Sequence, residues 1–153
     1  MTRTFSKIYG LAAERIGWAY GQPGLIATLN RIRAPFNVTS AGQAAAIAAL
    51  SDTAFVDASR DHNREWRDWM ESECNALANR GLRVVPSRAN FLLVLFEGVC
   101  SAETAYSALM EAGYIVRWLP GQGLANGLRI TIGSEAENRG LMNALRGILE
   151  RHG

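Results

Sequence analysis

Ser6 and Lys7 stand side by side, and Arg15 follows eight residues after the lysine, with Gly10, Ala12 and Ala13 between them. Lys7 offers an amine nucleophile that can form an imine with an aldehyde, provided it spends time unprotonated. A nearby cation and partial desolvation would favour that state. Arg15 offers a planar fork of fixed positive charge, suited to a phosphate. Ser6 can add a hydroxyl donor to the same group. The small residues between them leave room for a ligand to approach the backbone. By spacing alone the pattern is weak, because most lysines and arginines are solvated surface groups.

A second candidate lies in the run from Gly127 to Gly133. On a strand, Leu128, Ile130 and Ile132 face one side and Arg129 and Thr131 the other. An arginine held on a rigid strand makes a good clamp for an anion. An edge-strand arginine pointing to water would show the same pattern, and the alternation does not separate the two. Arg117, beside Trp118, is a third cation, and a solvated one would look no different. Trp66 and Trp69 read as helix packing, and the charges from Arg60 to Glu73 as a solvated helix face. His62 and His152 are isolated, and Cys74 and Cys100 fall on unrelated segments. No metal-ligand spacing and no disulfide framework results, so both cysteines are expected reduced and packed in a cytoplasmic protein.

These residues need elements to carry them. The first segment reads as a loop holding Ser6 and Lys7, with no strand before it, followed by a short strand over Ile16 to Tyr20. Pro23 and Gly24 mark a boundary before a helix over Leu25 to Arg33, and Pro35 breaks the chain. Asn37, Thr39 and Ser40 offer caps for an alanine-rich helix over Gln43 to Leu50. A long helix covers Thr53 to Asn79, capped by Asp52 or Thr53 and stopped at Gly81. Strands follow over Arg83 to Pro86 and Asn90 to Phe96, the second so continuously apolar that it should be central. Ser101 caps a helix to Ala112. Strands over Tyr114 to Leu119 and Leu128 to Ile132 are joined by a loop with Pro120, Gly121, Gly123 and Gly127. Ser134 caps a last amphipathic helix to Arg151, with Leu141, Leu145, Ile148 and Leu149 inward. The second half therefore reads β-β-α-β-β-α, a small α+β domain.

With 153 residues and 48% apolar content, the chain can build a core of its own. A net charge of +2 with both signs interspersed argues against a nucleic-acid binder. No apolar run is long enough for a membrane span, and Met1 to Ser6 lack the apolar core of a signal peptide.

The stretch Thr4-Phe5-Ser6-Lys7-Ile8-Tyr9-Gly10-Leu11-Ala12-Ala13-Glu14-Arg15-Ile16-Gly17 resembles the cofactor-lysine signature of the fold-type I, class II pyridoxal-phosphate-dependent aminotransferases. It is most similar to the histidinol-phosphate aminotransferase branch. Many relatives carry Gly-Leu where this chain has Ala13-Glu14, outside the contact residues. The resemblance runs over essentially the whole chain and implies the C-terminal part of a type I transferase fold, of α/β class. Residues 1–52 would be a remnant of the large cofactor-binding domain, 53–81 a connecting helix, and 82–153 the small α+β domain. Pyridoxal 5'-phosphate is the implied cofactor, held by Lys7 through its amine and by Ser6 and Arg15 through its phosphate. Arg129 would bind the substrate's carboxylate or phosphate, and Arg117 would help with the phosphate. Asn90 would satisfy backbone groups of its loop.

The implied substrates are histidinol phosphate or a related amine and a 2-oxo acid such as 2-oxoglutarate, in histidine biosynthesis. The implied assembly is a homodimer. The rest of the site, including an aspartate for the pyridine nitrogen, would come from a longer chain. Two alternatives stand beside this: a non-catalytic domain as it is, associating through uncovered apolar surface, and an aromatic aminotransferase or threonine-phosphate decarboxylase on the same scaffold.

Overall fold

The computed structural model describes residues 1–152 and divides into two compact units, Met1–Asp61 and His62–Gly153. In the first unit, strand β1 (Thr2–Thr4) pairs antiparallel with β2 (Gly17–Ala19), Arg3 lying opposite Trp18. The strand before the lysine loop is thus present, contrary to the expectation from sequence. Three polar or charged residues gave it no apolar signature, and pairing alone makes it. Between β1 and β2 the loop holds a single 3-10 turn over Ala12–Glu14.

Helix α1 (Pro23–Ile32) begins at the proline expected to precede it, because the first helical position needs no N–H from its residue. Helix α2 (Ser40–Ser51) is capped by Thr39, whose hydroxyl accepts from Gly42 N at 3.0 Å. Only Phe5, Ile16 and Ala46 form the buried cluster of this unit.

Helix α3 (Thr53–Asn75) starts with Asp52 Oδ1 accepting from Phe55 N at 3.0 Å, and the division between the units falls inside it. It ends four residues before the expected Asn79. There the chain tightens into a 3-10 turn over Ala78–Arg80, and Gly81 takes a φ of +84° to leave it. A Cβ at Gly81 would stand 2.3 Å from Gly98 Cα, so glycine is needed for the close approach as well as for the turn.

The second unit is built on a four-stranded antiparallel sheet in the order β3-β4-β6-β5, from β3 (Leu82–Val85), β4 (Phe91–Phe96), β5 (Arg117–Leu119) and β6 (Leu124–Thr131). Helices α4 (Ala102–Glu111) and α5 (Glu135–His152) complete the β-β-α-β-β-α order read from the sequence. Leu92, Val94, Leu128 and Ile130 sit at 0–1% exposure on one sheet face and pack with Leu109 of α4, Leu145 and Ile148 of α5, and Met70 of α3. Each such side chain contributes about 1.5–3 kcal/mol by leaving water.

Two strands differ from expectation. β5 starts at Arg117, not Tyr114, because Tyr114 N bonds Leu109 O at 2.8 Å and Gly113 takes a φ of +87° to close α4. β6 starts at Leu124 and takes in Gly127, which had read as part of a turn. Its missing side chain leaves room for Leu93 and Leu95, whose side chains would stand 3.2 and 3.3 Å from a Cβ there.

Candidate functional site

In the first unit the lysine loop is shaped by short-range bonds. Ser6 N donates to Thr4 Oγ1 at 3.0 Å, and Gly10 N donates to Lys7 O at 2.9 Å, with Gly10 at a φ of +70°. Phe5, buried under the loop, lies 4.9 Å from the Tyr9 ring, and its main chain bonds Ile16 O and Leu11 N. Arg15 closes the loop in the left-handed region at φ +52°, unusual for a residue with a side chain. That backbone turns the guanidinium inward: Nη1 donates to Ala12 O at 2.8 Å and to Ser6 Oγ at 3.4 Å. The structure thus brings Arg15 to Ser6, next to Lys7 in the chain.

Lys7 itself is exposed, and the described residues offer its amine no hydrogen-bond partner. The partial desolvation expected there is not supplied by these residues, since Lys7 is exposed and only three side chains of its unit form a buried cluster. The set fits a phosphate ester bearing an aldehyde: a cation and a hydroxyl for the phosphate, and a free amine beside them for the carbonyl carbon.

In the second unit, Arg129 lies on β6, an inner strand between β4 and β5. The edge-strand alternative for Arg129 therefore does not hold. Arg117 on β5 sits directly opposite Arg129, so both guanidinium groups leave the same sheet face. Like charges opposite one another destabilise an antiparallel pair, by up to about 1 kcal/mol. No ion pair to a carboxylate relieves either among the described residues. Arg129 also carries the only buried side-chain donor without a partner among the described residues, its Nε. Leaving such a group unmade costs about 1–3 kcal/mol. Two facing cations are what an incoming anion would satisfy.

Asn90 does not play its expected part. Its main-chain carbonyl accepts from Ile132 N at 3.0 Å, but the loop is held by Ser87, whose Oγ donates to Phe91 O at 2.7 Å and accepts from Ala89 N at 3.1 Å. Two residues escaped the sequence reading: Ser87, and Phe91, whose ring centroid lies 5.1 Å from Arg129 Cζ. The Ser-x-x-x-Phe spacing ahead of an apolar strand was the available signal. The two thiols are buried and free. Burial, helped by Glu71, pushes Cys74 up to about 12, and burial raises Cys100, which disfavours the reactive thiolate form in both.

The chain combines a lysine–arginine loop in its first unit with a four-stranded antiparallel sheet and its helices in the second. The chain belongs to the aminotransferase class I and II family, whose model matches residues 1–145. It is 65% identical over 97% of its length to a histidinol-phosphate aminotransferase of Sphingopyxis alaskensis, and covers 40% of that protein. It is 60% identical over 99% of its length to the histidinol-phosphate aminotransferase of Zymomonas mobilis, covering 41% of it. A crystal structure of histidinol-phosphate aminotransferase from Sinorhizobium meliloti in complex with pyridoxal-5'-phosphate superposes with a TM-score of 0.85, at 32% identity, over 99% of this chain and 41% of that one. The chain thus spans about two fifths of the curated relatives it matches.

Proposed function

We propose that the chain is part of a pyridoxal 5'-phosphate-dependent aminotransferase that moves an amino group from histidinol phosphate to a 2-oxo acid such as 2-oxoglutarate, a step of histidine biosynthesis. The observation that carries this reading is the Arg15 guanidinium 3.4 Å from the Ser6 hydroxyl, beside the free amine of Lys7. The high identity to histidinol-phosphate aminotransferases supports the choice of substrate. The reading also has the complete enzyme as a cytoplasmic homodimer. Its two free thiols suit a reducing compartment, and the apolar side chains left open in residues 1–61 need cover.

When bound, the cofactor supplies an aldehyde and a ring system that takes up electrons from the reacting carbon. Arg15 and Ser6 would hold its phosphate, and Lys7 Nζ would be the amine placed to meet its aldehyde. Lys7 Nζ would also serve as the base that takes a proton from the substrate carbon bearing nitrogen, and then as the acid that gives it back. Arg129, with Arg117 beside it, would hold the substrate's phosphate or carboxylate.

A second reading has a specific observation behind it. Residues 1–61 bury only three apolar side chains and leave Leu25, Ile32, Phe36 and Ile47 largely in water, which favours reading the chain as it stands as a non-catalytic piece whose stable part is the second unit. One experiment separates the two. The chain is tested alone and completed with the part of the Sphingopyxis relative that it does not match. After pyridoxal phosphate is added, borohydride reduction should leave the cofactor on the peptide holding Lys7 in the completed enzyme. Lys7→Ala should abolish both labelling and turnover. Normal turnover in the Lys7→Ala enzyme ends the first reading, and labelling of the chain alone ends the second.

A further inference from the structure

We propose that Phe91 is a positioning residue for Arg129, holding its guanidinium in the orientation that meets the substrate's acidic group; this rests on the anchor role given to Arg129 above. Phe91 opens β4 opposite Thr131, one step diagonal from Arg129 on the same sheet face. Diagonal neighbours across an antiparallel pair lie within reach of aromatic and long side chains. Arg129 uses that reach, with Cζ 5.1 Å from the Phe91 ring centroid, inside the range where an aromatic ring attracts a cation.

The arrangement answers a problem that the sheet sets. Arg117 faces Arg129 directly across the ladder and repels it. An arginine with free rotation would swing outward into water, away from its neighbour's charge. Here Nε is buried without a partner among the described residues, and the guanidinium instead rests against the Phe91 ring. Phe91 is itself fixed at both ends of its backbone. Ser87 Oγ donates to its carbonyl at 2.7 Å, and Asn90 O accepts from Ile132 N at 3.0 Å. The ring is therefore a rest, its backbone tied by the Ser87 hydroxyl and by the ladder, for a side chain that would otherwise lose considerable freedom on gripping an anion.

The test uses the 153-residue chain, inorganic phosphate as the probe, and arginine Nε–H resonances as the readout. The Arg129 signal is assigned by its loss in Arg129→Gln. In the wild type it should lie upfield from ring current and move saturably with phosphate. Phe91→Tyr keeps the ring and should keep both properties. Phe91→Leu keeps apolar bulk without the ring; it should lose the upfield position and bind phosphate roughly three- to tenfold more weakly, the size of a lost cation–ring contact. Its backbone amide spectrum should stay dispersed, and Phe91→Met serves in its place if it does not. Phe91→Leu binding phosphate like the wild type, while Arg129→Gln binds it less, overturns the role of Phe91 and spares the anchor. Equal behaviour of Arg129→Gln and wild type removes the anchor itself, and this proposal with it.

Discussion

Residues 1–61 and residues 62–153 hold their chemical groups by different means. The second unit buries eighteen side chains in one cluster, and Arg117 and Arg129 stand on strands of that same sheet. The first unit buries three, and its lysine, serine and arginine are placed by turns: Gly10 to Lys7, Ser6 to Thr4, Arg15 to Ala12. Among the described residues, the large apolar side chains exposed in the second unit are Val99, Met110 and Ile115, whereas the first unit exposes Tyr20, Ile32 and Phe36 above 70% and several others besides. One pair of candidate groups rests on a packed sheet, the other on local geometry. Local hydrogen bonds suffice to shape a loop, but a core is needed to give a region stability of its own.

The sharpest way to break this contrast is to delete core volume in each unit. Leu145→Ala removes a fully buried side chain from α5 and should cost about 2–5 kcal/mol, read as a lowered urea midpoint of the second unit. Ile16→Ala, at 8% exposure in the small cluster, should leave that midpoint nearly in place. An equal shift from both would show that the two regions share one cooperative core. Gly81→Ala comes next. It puts a Cβ 2.3 Å from Gly98 and forces a side chain into a φ of +84°, a loss of about 3 kcal/mol confined to the second unit. A variant as stable as wild type would mean that the Gly81–Gly98 approach opens freely.

What could be read from the sequence follows the same division. The β-β-α-β-β-α order was legible because Asn90 to Phe96 is continuously apolar, Ser101 and Ser134 stand at helix starts, and Gly81 marks a stop. The inward face of β6 was legible from alternation, since Leu128 and Ile130 are buried as expected. The facing of Arg117 and Arg129 was not. It depends on the irregular register between Trp118 and Leu119 and on β6 starting at Leu124, where Gly127 had read as a turn. Pairing between strands is a property of two segments, and neither one encodes it alone. The approach of Arg15 to Ser6 was suggested by motif, but the left-handed backbone that produces it belongs to a residue type that seldom adopts it. β1 left no trace, because its three residues carry no apolar pattern.

Smaller effects sharpen the picture at the junction of β6 and α5. Ser134 and Glu137 cap each other: Ser134 N and Oγ donate to Glu137 Oε2 at 2.8 and 2.7 Å, and Glu137 N donates to Ser134 Oγ at 3.4 Å. Ser134→Ala should lower the stability of the second unit by about 1 kcal/mol and leave the loop of residues 6–15 unchanged by NMR. A shift of the Lys7 or Arg15 signals in that variant would join what the contrast separates.

The smallest effect is in the pH dependence. The Ser134 hydroxyl, and then the Ser134 amide, hold the Glu137 carboxyl below the usual carboxylate range. Its proton affinity is therefore lower folded than unfolded, so the group stabilises the fold at pH values above the usual carboxylate range. As pH falls, the unfolded chain takes up the proton first, and the contribution is gone once pH passes below the folded value. Ser134→Ala removes the larger of the two causes but keeps the amide. Its Glu137 should titrate higher than in wild type yet still below an ordinary glutamate, measured by carboxyl NMR. The stability gap between wild type and variant should accordingly narrow on acidification. A gap that stays constant from neutral pH down to strong acid would assign the whole capping effect to the bond from Glu137 N to the hydroxyl, and none to the carboxylate's charge.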